Sequence, residues 1–238
     1  MGRAFEFRKE RKFKRWGQMA KTFTKIGKEM AIAIKEGGGD PAYNSRLRMA
    51  IQNAKAANMP KVNIENAIKR ATSKDAEAYQ EVVYEGVGPH GISLMVETQT
   101  DNPTRTVANV RMHFNKCGGT MGTFGSAGFL FKRLGMFRIK GEGIDTEELE
   151  FELIDSGLDS LKVEDEEIVV YCEFTEFGTM QKALEERKIE VVSAELVRIA
   201  LSPKSLTEEQ VEDIIKLVDR LEDDDDVSSV FTTMDDSE

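Results

Sequence analysis

Charge is divided unevenly along this chain of 238 residues. Residues 1–74 contain 18 Lys and Arg against 6 Asp and Glu, a net charge of +12. Residues 75–238 contain 15 against 37, a net charge of −22. Local charge of this size creates a field that attracts polyanions and repels surfaces of the same sign. The sequence therefore predicts a basic unit at residues 1–74 that is joined to an acidic body at residues 75–238. The polyanion that the basic unit is first expected to bind is nucleic acid.

Composition narrows the class of protein. A chain of 238 residues can bury a sizeable core in one to three domains, and 40% hydrophobic with 32% charged residues is typical of a globular protein. Cys117 and Cys172 form neither a metal-ligand pair nor a disulfide scaffold, which indicates a reducing compartment. The longest uncharged run, residues 117–131, is too short to span a membrane, and the N-terminus lacks the apolar stretch of a signal peptide. We expect a cytoplasmic protein without a membrane partner.

Residues 1–20 are predicted to form a basic arm in which aromatic residues alternate with cations. Lysine and arginine neutralise phosphates by releasing counterions, and Trp16 or Phe13 can stack on unpaired bases. For an isolated basic stretch, a solvated tail would be the alternative. The candidate nucleic-acid contacts in the arm are Arg8, Lys9, Arg11, Lys12, Lys14, Arg15 and Trp16.

The arm leads into a predicted helical domain of the same sign. Apolar periodicity and breaks at glycine and proline predict three helices, at residues 22–36, 44–58 and 63–72. The lysines of the first helix gather opposite its apolar face. Further candidate contacts are Lys21, Lys25, Lys28, Arg46, Arg48, Lys55 and Lys61, with Lys69 and Arg70 nearby. An arm and a domain of one sign favour nucleic acid as the partner, but charge does not distinguish DNA from RNA.

From residue 79 the pattern changes to strands that alternate with helices. Strands are expected at residues 82–85, 92–97, 129–131, 136–139, 160–163, 167–174, 190–199 and 227–233. Helices are expected at residues 103–116, 147–156, 175–186 and 207–221, the last opening with the capping pattern of Thr207 and Gln210. This alternation predicts sheets with helices packed on one face.

Catalytic motifs are weak. His90 and His113 have no metal-ligand spacing, and neither a nucleophile elbow nor a Walker loop is present. Residues 86–91 match the letters GxGxxG, but a strand rather than a helix follows, so a hairpin turn is favoured. Residues 120–128 could cradle a phosphate with backbone N–H groups, although a tight turn is preferred. We expect no catalysis, metal, cofactor or small-molecule substrate.

The acidic run at residues 223–226 lies between the last predicted helix and the last strand. A solvated loop is the common state of such a run, and it is the expectation here. Acidic faces of the body would keep a bound polyanion on the basic domain.

Several strings are similar to the YebC/PmpR family. They include residues 37–41 (GGGDP), 54–61 (AKAANMPK), 84–86 (YEG) and 100–102 (TDN), and the glycine pair 118–119 leading to 130–131. The resemblance extends from about residue 15 to the C-terminus, and AKAANMPK is highly specific. The family includes bacterial proteins described as probable transcriptional regulators and the mitochondrial translational activator of cytochrome oxidase.

The resemblance implies an α+β protein of three domains. A basic three-helix domain (residues 1–78) would precede two α/β domains with helices packed on mostly antiparallel sheets. The middle domain would be discontinuous (79–134 plus 203–238) and the other inserted into it (135–202). The resemblance also implies a cytoplasmic, DNA-binding regulator of transcription without catalytic residues. The alternative is a ribosome-associated translation factor that binds ribosomal RNA and eases synthesis of proline-rich sequences.

Two features limit what carries over from the family. The usual opening of the family is replaced here by residues 2–7 (GRAFEF), so contacts made by that opening cannot be transferred. Asp101, Asn102 and Arg105 form either an exposed functional patch or a cap of the helix that starts at residue 103.

A third class of function, a protein-binding adaptor that acts through its acidic body, also fits the charge distribution.

Overall fold

The structure is a computed structural model that describes residues 19–73, 78–164 and 167–235. Its helices are α1 (Met19–Gly37), α2 (Ser45–Ala56), α3 (Lys61–Ala71), α4 (Pro103–Lys116), α5 (Thr146–Leu153), α6 (Phe177–Glu186) and α7 (Glu208–Glu222). Its strands are β1 (Gln80–Val87), β2 (Ser93–Thr100), β3 (Thr120–Met121), β4 (Phe131–Lys140), β5 (Leu158–Glu164), β6 (Glu167–Glu173), β7 (Val191–Ala200) and β8 (Val227–Thr232). Single 3₁₀ turns lie at Pro89–Gly91, Gly128–Leu130, Ile154–Ser156 and Phe174–Glu176. The predicted α+β class is confirmed.

Helices α1, α2 and α3 pack into a helical unit around a small core. Met30, Leu47 and Ala50 are fully buried at its centre. The turn between α1 and α2 is organised by Asn44, whose side-chain oxygen accepts a hydrogen bond from the Leu47 amide at 3.0 Å. The same side chain donates to the Ala33 carbonyl at 2.7 Å, so one residue caps α2 and ties it to α1.

The first sheet has the strand order β3-β1-β2-β8, and every neighbouring pair is antiparallel. Helices α4 and α7 bury their apolar residues in one core with it, including Leu94, Phe114, Ile214 and Leu217. Helix α7 begins with a capping box in which the Thr207 side chain accepts from the Gln210 amide. The capping pattern read from the sequence is therefore confirmed.

The second sheet has the order β5-β6-β4-β7, again antiparallel throughout, with α5 and α6 on one face. The prediction of separate strands at residues 129–131 and 136–139 is wrong, because β4 runs unbroken from Phe131 to Lys140. Gly135 lies within this strand, where a Cβ would stand 2.5 Å from the ring of Phe177. The glycine marks the close approach of a packed ring rather than the end of a strand.

The chain enters the second sheet and then returns to the first. The first sheet takes its strands from residues 80–121 and 227–232, and the second takes its strands from residues 131–200. The predicted domain limits at residues 78, 134 and 202 stay a prediction.

Candidate nucleic-acid interface

The lysine face of α1 lies against the C-terminal end of α7. Lys21 Nζ donates to the backbone carbonyl of Asp223 at 3.0 Å and lies 3.2 Å from its carboxylate. Lys25 Nζ donates to the carbonyl of Glu222 at 3.0 Å. The last carbonyls of a helix lack hydrogen-bond partners within the helix and lie at the negative end of the helix dipole. Two lysines predicted to contact phosphates thus cap a helix of the body.

Lys28 is buried at the same contact. Its side chain is 9% exposed, and Nζ lies 2.9 Å from Oδ1 of Asp226, whose side chain is 4% exposed. The ammonium also donates to the carbonyls of Asp225 at 2.8 Å and Gln99 at 3.2 Å. Three oxygen acceptors therefore replace the water around this lysine, as burial of a charge requires.

Asp226 is the centre of this network, so the expectation of a solvated loop is wrong at this residue. Besides Lys28, Arg105 Nη2 donates to its Oδ2 at 2.7 Å and Thr106 Oγ1 donates at 2.8 Å. Burial disfavours ionisation of Asp226, but the hydrogen bonds from Lys28, Arg105 and Thr106 outweigh it. The pKa of the carboxyl is consequently lowered to about 2.

Arg46 and Arg48 also make intramolecular contacts. Arg46 pairs with Glu36 at 2.8 Å and with Glu81, which lies on β1. Arg48 Nη1 donates to the carbonyls of Pro41 at 2.8 Å and Ala42 at 3.0 Å. These arginines hold the helical unit together and join it to the first sheet.

The exposed cations of the helical unit lie elsewhere. Lys55, near the end of α2, is exposed and has no ion-pair partner among the residues described. Lys61 is 89% exposed and lies 3.8 Å from Glu65. Lys69 and Arg70 are also exposed on α3, whose buried residues are Ile64 and Ala67. We call Lys55, Lys61, Lys69 and Arg70 the outer basic surface.

The candidate contacts in the basic arm lie outside the described residues. These contacts are Arg8, Lys9, Arg11, Lys12, Lys14, Arg15 and Trp16.

Asp101, Asn102 and Arg105 have the geometry of a helix cap. Asn102 Oδ1 accepts from the Arg105 amide at 3.1 Å, and the Asn102 amide donates to Thr100 Oγ1 at 2.9 Å. Arg105 Nη2 lies 2.8 Å from the Asp101 carboxylate and is shared with Asp226. The cap positions the arginine that neutralises Asp226.

Asn53 and Gln52 make a contact that the sequence did not indicate. Asn53 Nδ2 donates to the Ala194 carbonyl at 2.6 Å, and its Oδ1 accepts from the Ala194 amide at 3.0 Å. Gln52 Nε2 donates to the carbonyl of Val191 at 2.6 Å. Helix α2 thereby covers the backbone of β7, which is an edge strand. No local signal marks such a contact, because the partners are 141 residues apart.

The glycine-rich segment after α4 forms a loop around a carboxylate of the chain itself. Glu85, 3% exposed, accepts hydrogen bonds from the backbone N–H groups of Gly125 at 2.8 Å, Gly128 at 3.0 Å and Ala127. Burial acts against ionisation of Glu85, but these donors prevail and lower the pKa of its carboxyl. The phosphate cradle considered from the sequence is therefore filled by Glu85.

The other motif, at residues 86–91, is a hairpin turn as predicted. Strands β1 and β2 pair antiparallel, and the Gly88 amide donates to the Ile92 carbonyl at 2.8 Å. At the turn His90 and Gly91 adopt φ values of 59° and 73°. A helix N-terminus for a pyrophosphate does not follow this motif, since β2 follows it.

The remaining chemically active side chains stand apart from one another. His90 Nε2 lies 3.1 Å from Asp213, and His113 Nε2 lies 3.7 Å from Asp224. Burial raises the pKa of the Cys172 thiol to about 12, which leaves it unreactive. Within the described ranges, no group of three or more His, Cys, Asp and Glu could hold a metal ion. None of the helices described there combines the length and apolar character that crossing a bilayer requires.

Comparison with known proteins identifies relatives along nearly the whole chain. The family model for the TACO1/YebC N-terminal domain matches residues 3–74, and that for the second and third domains matches residues 79–234. A probable transcriptional regulatory protein of Flavobacterium johnsoniae is 55% identical over 98% of this chain and 99% of its own length. Another, of Parabacteroides distasonis, is 56% identical over 100% of this chain and 99% of its own.

A solved structure has the same fold. A conserved hypothetical protein of Aquifex aeolicus superposes with a TM-score of 0.81 at 35% identity, over 92% of this chain and 90% of its own. Two adjoining family models, relatives that are more than half identical and a common fold lead to one conclusion. The chain belongs to the TACO1/YebC family, whose curated relatives here are named probable transcriptional regulatory proteins.

Proposed function

We propose that this protein is a non-enzymatic regulator that binds DNA and controls transcription in the cytoplasm. The observation that carries the proposal is the outer basic surface, whose four cations are exposed on α2 and α3 of the helical unit. Exposed cations can exchange their counterions for phosphates, and the contacts of Lys61 with Glu65 and of Arg70 with Asn66 lie within α3. The names of the curated relatives support control of transcription as the role.

The internal contacts divide the predicted binding residues into two groups. Lys21, Lys25 and Lys28 hold α1 against the acidic turn, and Arg46 and Arg48 complete intramolecular networks. In the proposal these five residues orient the helical unit and do not contact phosphates. Phosphate contacts come from the outer basic surface, extended by the cations of the basic arm and by stacking of Trp16.

The acidic body contributes by repulsion. Residues 75–238 carry a net charge of −22, which disfavours a polyanion approaching from that side. A duplex would therefore contact the outer basic surface. Phosphate contacts of this kind position a protein without specifying a sequence.

The test is crosslinking in living cells, followed by sequencing of the DNA and RNA recovered with the protein. The binding variant is K55E/K61E/K69E, and the matched control is K182E/K188E, which reverses two exposed lysines of the body. We expect DNA to be recovered with the wild type and with the control, and to be lost with the binding variant.

Two outcomes would overturn the proposal. Recovery of ribosomal RNA in place of DNA, together with co-migration with ribosomes, would make the protein a translation factor. Recovery of neither nucleic acid, or equal recovery by the binding variant, would remove the outer basic surface from the mechanism.

A further inference from the structure

Helix α5 carries apolar side chains on its outer face as well as on its inner face. Leu149 and Leu153 are buried in the core of the second sheet. Phe151 lies midway between them in sequence, which directs its side chain to the opposite side of the helix, where it is 80% exposed. Ile154 is 58% exposed and has helical φ and ψ values of −51° and −50°. Because residues three apart on a helix are neighbours, Phe151 and Ile154 form an exposed apolar pair.

The segment around this pair contains charges of one sign. Residues 141–161 include eight Asp and Glu and no Lys or Arg. Three of these carboxylates are engaged in the fold: Asp145 caps α5, Glu152 lies 2.7 Å from Arg187, and Asp159 pairs with a lysine of β4. The other five are exposed and have no ion-pair partner within the described ranges, namely Glu142, Glu147, Glu148, Glu150 and Asp155.

Three of the exposed carboxylates lie beside the apolar pair. Glu147 and Glu148 precede Phe151 by four and three residues, and Glu150 precedes Ile154 by four. On a helix these spacings bring side chains next to each other on the surface. We call Phe151, Ile154, Glu147, Glu148 and Glu150 the acidic apolar surface.

The chemistry of the acidic apolar surface selects a cationic partner that also has apolar side chains. Its carboxylates repel a polyanion such as nucleic acid. A lysine or arginine of a partner can pair with these carboxylates or lie over the ring of Phe151. An apolar side chain of the same partner can remove Phe151 and Ile154 from water, which is favourable.

The basic arm has this chemistry. Residues 1–16 contain seven Lys and Arg against two Glu, with Phe5, Phe7, Phe13 and Trp16 among them. Residues 1–18 precede α1 and lie outside the described residues. A segment of 18 residues spans up to about 60 Å, whereas a compact protein of 238 residues has a radius of gyration of about 18 Å. The length of the arm therefore permits a contact with α5 of the same chain.

We propose that the acidic apolar surface of α5 binds the basic arm of the same chain. Cations of the arm pair with Glu147, Glu148 and Glu150, and an aromatic side chain of the arm packs on Phe151. The covalent connection favours this occupant over a second copy, because it holds the arm at an effective concentration on the order of 1 mM.

Docking of the arm has a consequence for binding of nucleic acid. The arm extends the nucleic-acid contact in the proposed function, so nucleic acid and α5 compete for it. When only a fraction of the molecules have a free arm, the apparent affinity for nucleic acid falls by that fraction. The competition rests on the proposed function, whereas the docking itself does not.

The fluorescence of Trp16 reports on the docking without a label, because the chain contains one tryptophan. The experiment measures quenching of this fluorescence by acrylamide in the full-length protein at low ionic strength. F151A removes the burial of one phenylalanine and should weaken docking by about 30-fold, which makes Trp16 easier to quench. E147Q/E148Q should have the same effect, because it removes two of the paired carboxylates.

The chain offers a matched control for each variant. F124A removes another exposed ring, in the loop after α4. Glu208 and Glu209 lie in the first turn of α7 as Glu147 and Glu148 do in α5. E208Q/E209Q therefore removes the same net charge and the same interaction with a helix dipole. Quenching in both controls should match that of the wild type.

The Kd of the same variants for a DNA duplex tests the competition. F151A and E147Q/E148Q should bind the duplex more tightly than F124A and E208Q/E209Q do, because their arm does not have to leave α5. Equal affinities would overturn the competition.

The docking is tested by quenching alone. Unchanged quenching in F151A and E147Q/E148Q, or an equal change in the controls, would overturn it. Protection of Trp16 that grows with protein concentration would also overturn it and would assign the surface to a second copy.

The two proposals fail in different ways. If K55E/K61E/K69E weakens binding of DNA while F151A and E147Q/E148Q leave quenching unchanged, this inference is wrong and the proposed function stands. If these two variants increase quenching but the wild type binds no DNA, the docking stands and the proposed function fails.

Discussion

Lys28 and Asp226 form a buried ion pair, with 2.9 Å between Nζ and Oδ1, although 198 residues separate them in the sequence. The pair joins the first described helix to the turn that precedes the last strand. Arg105, Thr106 and Thr100 complete the hydrogen bonding of the same carboxylate. The helical unit and the first sheet are therefore connected through one charged cluster rather than through apolar packing alone.

Replacing Lys28 by methionine should destabilise the protein strongly. The K28M variant leaves the carboxylate of Asp226 buried with only one of its two cations, and breaking a buried pair in this way costs about 3 kcal/mol. The free energy of unfolding from urea titration measures the effect. The exposed Lys35 supplies the control, since K35M should change stability by less than about 0.5 kcal/mol. Equal effects in the two variants would contradict a structural role for Lys28.

Stability should depend on the ionisation of Asp226 at acid pH. Its pKa is lowered to about 2 in the folded protein, from an ordinary value of 3.8. The unfolded chain therefore takes up the proton first as pH falls, and the stabilisation present above about pH 4 is lost towards pH 2. The difference in unfolding free energy between the wild type and D226N should be largest at neutral pH and shrink through this window. A difference independent of pH would exclude the charge as its origin.

Glu29 should respond to pH in the opposite direction. Burial of its carboxyl outweighs the nearby Arg46 and raises the pKa to about 7 from 4.5. The folded protein holds this proton while the unfolded chain releases it, so stability is lost as pH rises from about 4.5 to 7. E29Q should therefore be more stable than the wild type at about pH 8, and the gain should vanish near pH 4. Thermal unfolding at the two pH values tests this, and a gain that persists at the lower pH would refute it.

Removing the charge of Glu85 should loosen the glycine-rich loop. In E85Q one carboxylate oxygen becomes an NH₂ group, which cannot accept a hydrogen bond. Either the Gly125 amide at Oε1 or the Ala127 and Gly128 amides at Oε2 therefore lose their acceptor. Losing a charged acceptor for buried donors costs about 2 kcal/mol, so these amides should exchange about 30-fold faster with solvent. Hydrogen exchange read by NMR measures the change, with the exposed Glu142 as the site of a control variant, E142Q. Unchanged exchange would show that the loop does not need Glu85.

Local signals predicted the helices well. The bounds of α4 agree with the expectation of residues 103–116, because its start depends on Asn102 and Pro103 and its end on the glycine pair that follows. The start of α7 was also predicted from a local signal, because Thr207 and Gln210, which form its capping box, are three residues apart. Strand β4 was predicted as two pieces because a glycine at residue 135 usually indicates a break. Here the glycine is needed because the ring of Phe177, which is remote in sequence, packs against it.

The candidate site shows the same division between local and remote information. Helical periodicity places Lys21, Lys25 and Lys28 together opposite the apolar face of α1, and that arrangement is present. A lysine face can equally contact water, a phosphate or a carboxylate of the same chain, and periodicity does not choose among them. The internal partner was missed because the run at residues 223–226 looks like any solvated acidic loop.

The order of residues by itself determined the division of charge, most helix ends, the hairpin at residues 86–91 and the family of the chain. These features depend on neighbours a few residues apart or on the whole string of letters. Only the tertiary structure decided which cations face solvent, that Asn53 covers the edge of β7, and that Glu85 fills the glycine-rich loop. Such contacts join residues that are distant along the chain, and their energies depend on burial and on distances of about 3 Å, which exist only after folding.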